Sequence, residues 1–141
     1  MNIPGHLAIG LASHRVLTLV NPGEDIPLRP LLLAGLFPDM VDKSLGYVFR
    51  VMPNGRHYAH NIFALIVISL AVTLVWGKRT GIAWMVGYWG HLLADGRKVP
   101  WLFPVKSYRF YPGRLKFNGL QFCKETIFLL VVMFLYRLSR N

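Results

Sequence analysis

A strongly apolar, uncharged run extends from Ile62 to Trp76, with Arg56 and His57 before it and Lys78 and Arg79 after. An uncharged run between basic flanks predicts a membrane helix. It falls short of the ~20 residues that a full span prefers, but Asn61, Gly77 and snorkelling basic side chains can cover the difference. Gly81 to Ala94 predicts the return helix, entering through Trp84, Tyr88 and Trp89 and ending at Asp95, with Lys78-Arg79-Thr80 as the hairpin. A third span is expected from about Gly119 to Tyr136, free of charge from Thr126 onward. Two weaker segments come first: Leu7 to Val20, interrupted by His14-Arg15, and Pro30 to Phe37, stopped by Pro38. Both are too short or too polar to face lipid alone and are expected to pack on the three spans. The pattern predicts an all-α fold, a small helical membrane bundle of three main membrane helices plus two short N-terminal helical segments.

Composition agrees with that placement. Of 141 residues, 54 % are hydrophobic and only 16 % are charged, below the ~25 % of soluble domains. No composition shift, repeat or linker divides the chain, so residues 1–141 are read as one domain. Met1 to His6 lacks the basic region and cleavage site of a signal peptide and is expected to stay in the mature protein. With Cys123 as the single cysteine, an intrachain disulfide and a Cys-rich metal knuckle are both excluded.

Charge adds orientation. Lys and Arg number 16 against six Asp and Glu, a formal net charge of +10. In a chain this apolar, anionic lipid headgroups are the expected partner of that charge, ahead of nucleic acid, for which no recognition motif is present. The same charges can instead simply set topology. Lys43, Arg50, Arg56, Arg97, Lys98, Lys106, Arg109, Arg114 and Lys116 fall on one predicted face, and Arg29, Lys78, Arg79, Arg137 and Arg140 on the other. The positive-inside bias makes the first face cytoplasmic, in a multi-pass protein of a bacterial-type inner membrane.

Candidate chemistry gathers on that face. His91 and Asp95, i and i+4 on a helix, project from one stripe and suit a shared cation, although a plain His–Asp hydrogen bond would use the same spacing. Ionisable groups at membrane depth are costly unless they pair or bind something. His57 and His60 lie just before the Ile62 helix, and Asp39 and Asp42 follow Pro38, where Asp39 can alternatively cap a helix. Three of the six acidic residues, Asp39, Asp42 and Asp95, thus fall beside histidines. His6 joins them if the two N-terminal segments run antiparallel, whereas His14, two turns deeper, stays outside. Arg56, Arg97 and Lys98 adjoin these groups and can either hold a phosphate or serve topology alone.

In order along the chain, Gly5-His6-Leu7, Gly35 through Asp42, Arg56 through His60, Gly90 through Asp95 and Trp101-Leu102-Phe103-Pro104 resemble the predicted membrane-bound metal-dependent hydrolases of the LexA-binding inner-membrane type. The likeness covers about the first three-quarters of the chain. The layout is also similar to a reduced zinc-dependent phospholipase C and single-strand nuclease fold. That resemblance implies Asp39, His60 and His91 on one metal, Asp95 bridging, and His6 helping to bind a second. No histidine follows His91, so at most a two-metal centre is implied. The family's His-Arg-Gly…Thr-His-Ser signature reads Gly55-Arg56-His57-Tyr58-Ala59-His60-Asn61 here, which makes His57 the possible replacement for the missing first His.

Two function classes follow. One is hydrolysis of a phosphoester, lipid or nucleotide derived, with Asp39 or Asp42 accepting the proton of a metal-activated water and Arg56 stabilising charge on the phosphoryl oxygens. Imidazole and carboxylate ligands without thiolate favour zinc, with manganese or iron also compatible. The other is a non-enzymatic scaffold or regulator that recruits a soluble protein partner through the basic loop from Gly96 to Lys116 and uses the His/Asp cluster for stability.

Overall fold

The computed structural model describes residues 2–96, 99–114 and 117–139, and within them every regular element is helical. Five α-helices follow one another: α1 Ile3–Val20, α2 Leu28–Lys43, α3 Ile62–Trp76, α4 Lys78–Asp95 and α5 Gly119–Leu138, with a π-helical turn, Ser44–Val48, after α2. Successive helices alternate in direction. The starts of α1 and α3 therefore meet the ends of α2 and α4 at one end of the bundle, the end that carries His6, Asp39, Asp42, His60, His91 and Asp95.

Local chemistry sets the boundaries, and three differ from expectation. α2 does not stop at Pro38 but continues to Lys43 with Pro38 buried inside it. Proline removes the hydrogen bond to the Ala34 carbonyl and loosens that turn without ending it. The first segment begins at Ile3, not Leu7, and passes unbroken through His14. That ring accepts the hydroxyl of Tyr136 at Nδ1 (2.9 Å) and donates from Nε2 to the Ile26 carbonyl (2.8 Å). The α3–α4 turn is tighter than a Lys78-Arg79-Thr80 hairpin: Gly77 alone, at φ 84°, ends α3 and starts α4, a left-handed backbone that favours glycine.

α4 crosses α2 at very close range, because a Cβ at Gly87 would lie 2.0 Å from the Leu31 carbonyl oxygen. Around that crossing Leu31, Ala34, Leu65, Ala83, Tyr88 and Leu92 form the buried core. α5 packs on α1 and runs parallel to it: Glu125 accepts the Asn2 amide (2.8 Å), and Arg15, about a dozen residues on, donates to the Ser139 carbonyl.

Three membrane spans were expected; α5 is the one described helix long and apolar enough to cross a bilayer by length and composition. α3 is apolar but has only 15 residues, about 22 Å of rise against a ~30 Å hydrocarbon core. α4 carries Lys78, Arg79, His91 and Asp95 and buries a glycine-bearing face, Gly81 and Gly87, against its neighbours. Arg97, Lys98, Lys116 and Arg140, counted above as topology charges, lie outside the described residues.

Replacing Gly87 by alanine should force α2 and α4 apart and cost about 3 kcal/mol, the scale of core overpacking. Thermal unfolding of the detergent-purified variant checks this through a lowered midpoint; an unchanged midpoint would show that the crossing is not tight.

Candidate metal centre

At the site-bearing end three elements supply the side chains. α2 presents Asp39 and Asp42, α4 presents His91 and Asp95, and His60 stands in the loop just ahead of α3. Asn61 fixes that loop: its side-chain oxygen caps α3 by accepting the Ala64 amide (2.8 Å), and its amide nitrogen donates to the carbonyls of His57 and Tyr58. Tyr88 of α4 donates to the Ala59 carbonyl at 2.6 Å.

Asp42 organises the same loop from below. Fully buried, it accepts the backbone amides of His57 (2.6 Å), Ala59 (3.0 Å) and His60 (3.2 Å) and the Nδ1 of His60 (2.8 Å). A carboxylate can only accept, so Nδ1 of His60 carries the proton and the Nε2 lone pair points the other way. His91 is fixed by the same logic. Its Nδ1 donates to the Gly35 carbonyl at 2.7 Å, in the turn that Pro38 loosens. The two free Nε2 atoms then face one another at 3.1 Å. Two lone pairs cannot rest at that distance without a proton or a cation between them.

Carboxylates complete the ring. Asp39 gives Oδ2 to Lys43, while its buried Oδ1 has no hydrogen-bond partner and lies 3.5 Å from Nε2 of His60 and 4.0 Å from Nε2 of His91. Asp95 places Oδ2 3.7 Å from Nε2 of His60 and accepts Nε of Arg56 at 2.7 Å. Asp39, His60, His91 and Asp95 thus offer four buried ligand atoms within 4.8 Å of one another, an arrangement able to hold a metal ion. An orphaned carboxylate oxygen beside converging imidazole lone pairs is the donor set that a divalent cation satisfies. Burial acts against a charged His60, but the adjacent carboxylates of Asp39 and Asp42 outweigh it and raise its pKa above the ordinary imidazole value. A proton therefore competes with metal for the same nitrogen.

The remaining expected residues divide. His6 lies beside the four: its ring stacks on His91 (centroids 4.0 Å apart), with Nε2 3.7 Å from Asp39 and 3.9 Å from Asp95. Neither of its nitrogens has a hydrogen-bond partner among the described residues. His57 goes elsewhere, its ring packed against Phe110 and Phe103 with centroids at 4.0 and 6.5 Å. Burial lowers its pKa. Sequence reasoning missed Lys43, the Gly35 carbonyl and Tyr88. The Asp39–Lys43 spacing, i and i+4, was a readable signal for the first; the other two depend on the helix crossing.

The chain belongs to the YdjM inner membrane protein family, whose profile matches residues 1–140. It is therefore an inner-membrane protein. No curated protein and no solved structure matches it, and the family description carries no hydrolase activity.

Because Asp42 orients a ligand without being one, Asp42→Asn should weaken zinc affinity about 10- to 100-fold, the range for lost outer carboxylate partners. His57→Ala, which leaves the backbone bond to Asp42 in place, should have a much smaller effect. Competition titration against a chromogenic chelator separates the two; equal losses would place His57 in the centre.

Proposed function

We propose that this member of the YdjM family is a metal-dependent hydrolase of phosphoesters, lipid or nucleotide derived, with its centre at the cytoplasmic face of the inner membrane. The observation that carries the reading is the convergence of the Asp39, His60, His91 and Asp95 ligand atoms within 4.8 Å, at the same end of the bundle as an arginine already seated on one of them. Zinc is the ion favoured by two imidazoles, two carboxylates and no thiolate. When bound, it supplies Lewis acidity and lowers the pKa of a bound water.

The residues divide the work. His60 and His91 hold the ion through Nε2, each oriented by the acceptor on its other nitrogen. Asp42 is a positioning residue here, since its oxygens are filled by the His57–His60 backbone and the His60 ring. Asp39 would hold the ion through Oδ1, which has no hydrogen-bond partner among the described residues, while Lys43 neutralises it through Oδ2. Arg56 neutralises Asp95 through Nε and turns the rest of its guanidinium toward charge developing on a phosphoryl group. His6, with two unpartnered nitrogens, is the candidate for a second ion.

Membrane placement follows from the outer faces. α3 exposes Ile66, Val67, Leu70, Leu74, Val75 and Trp76, and α5 exposes Ile127, Phe128, Leu130, Val131, Phe134 and Leu135. Such faces suit lipid, and Lys43, Arg50, Arg56, Lys106, Arg109 and Arg114 at the site-bearing end support a cytoplasmic position for it through the positive-inside bias.

Detergent-purified protein should carry near-stoichiometric zinc and hydrolyse bis-p-nitrophenyl phosphate, whereas His91→Ala should bind zinc more weakly and lose turnover. Chelation should abolish turnover and zinc restore it. Bound metal without hydrolysis of any phosphoester in a broad screen would overturn the hydrolase and leave the scaffold alternative, recruiting a partner through the 96–116 loop.

A further inference from the structure

A second feature opens on the site-bearing end. A cavity of about 400 Å³ lies between residues 47–56 and the 99–113 segment, its walls including Arg56, Arg109, Tyr47, Tyr108, Phe110 and Tyr111. Two guanidinium groups line it and no carboxylate does. The walls are tied together: Asn54 donates to the Tyr111 carbonyl (3.2 Å) and accepts the Arg56 amide (3.0 Å), and the Gly113 amide donates to the Pro53 carbonyl (2.8 Å).

Neither arginine is used up. Arg56 commits only Nε, to Asp95, and Arg109 makes no hydrogen bond or ion pair among the described residues. The Tyr108 hydroxyl accepts the Leu102 amide, which leaves its own proton to donate. Unneutralised guanidinium forks suit a compact oxyanion, because their paired N–H donors match its oxygen pairs. Arg56 is shared, since its Nε side rests on Asp95 of the metal centre while the side chain lines the cavity.

We infer that this cavity is a phosphate subsite of the centre, with Arg109 and Arg56 gripping a phosphomonoester group and Arg56 setting it beside the His/Asp cluster. The substrate class is thereby narrowed to molecules bearing a terminal phosphate, either a soluble ester or an anionic lipid headgroup. This rests on the hydrolase reading for its place in a reaction, though not for the binding itself.

Calorimetry on the zinc-loaded full chain in detergent tests it, with glycerol 3-phosphate as the soluble probe and short-chain phosphatidic acid as the lipid one. Arg109→Ala should weaken phosphate binding about 10-fold or more with zinc content unchanged, and Arg109→Lys should recover part of the loss. Arg109-dependent binding of either probe supports the subsite and identifies the source. Binding of neither, or binding indifferent to Arg109, overturns it. Arg109-dependent binding without turnover of any ester would instead sink the hydrolase reading and keep the subsite, whereas turnover with unaltered affinity in Arg109→Ala would do the reverse.

Discussion

Two imidazole nitrogens held face to face at 3.1 Å are the constraint around which the chain is arranged. Left as two lone pairs they repel, so something positive has to lie between them. The rest of the bundle keeps them there. Asp42 holds His60 from behind and the Gly35 carbonyl holds His91, so neither ring can turn to relieve the contact without giving up a buried hydrogen bond. Gly87 lets α4 lie against the Leu31 backbone, and that close crossing lets the His91 ring reach a carbonyl on α2. Pro38, one turn along, leaves that stretch of α2 loosely bonded.

Burial raises what this arrangement costs. Three carboxylates, Asp39, Asp42 and Asp95, lie with His6, His60 and His91 almost out of water at the end of an apolar bundle, and each carboxylate has a partner positioned for it: Lys43 for Asp39, Arg56 for Asp95, the loop amides for Asp42. Such networks are costly when half satisfied. Among the described residues at this end, Asp39 Oδ1, both His6 nitrogens and both His57 nitrogens have no hydrogen-bond partner, and of these Asp39 Oδ1 and His6 lie on the side where the ligand atoms converge. A cation there would complete the network, so metal binding and stability of this end of the bundle are coupled.

Much of this was legible in the chain. The apolar run from Ile62 to Trp76 matched α3 residue for residue, because a helix between charged flanks and a glycine has sharp boundaries. The i, i+4 pair of His91 and Asp95 and the Asp39-to-Asp42 cluster were visible as ionisable groups in a sequence poor in carboxylates. Less legible was which histidine faces inward. His57 and His60 are three residues apart in a non-helical loop, and only Asp42's grip on the backbone decides that His60 enters the centre while His57 goes to the phenylalanines. The length of α2 was misjudged because proline's effect on a helix depends on whether neighbouring helices hold the turn in place. For the count of membrane spans, hydropathy does not distinguish a face buried on other helices from one exposed to lipid: α5 is the one described helix long and apolar enough to cross a bilayer, while α4 buries Gly81, Ala83 and Gly87 against its neighbours.

Zinc X-ray absorption on the purified chain addresses the convergence most directly. The account predicts a first shell of nitrogen and oxygen alone, with outer scattering from two imidazoles that falls to one in His91→Ala. A wild-type spectrum with fewer than two imidazoles, or one that His91→Ala leaves unchanged, would contradict it.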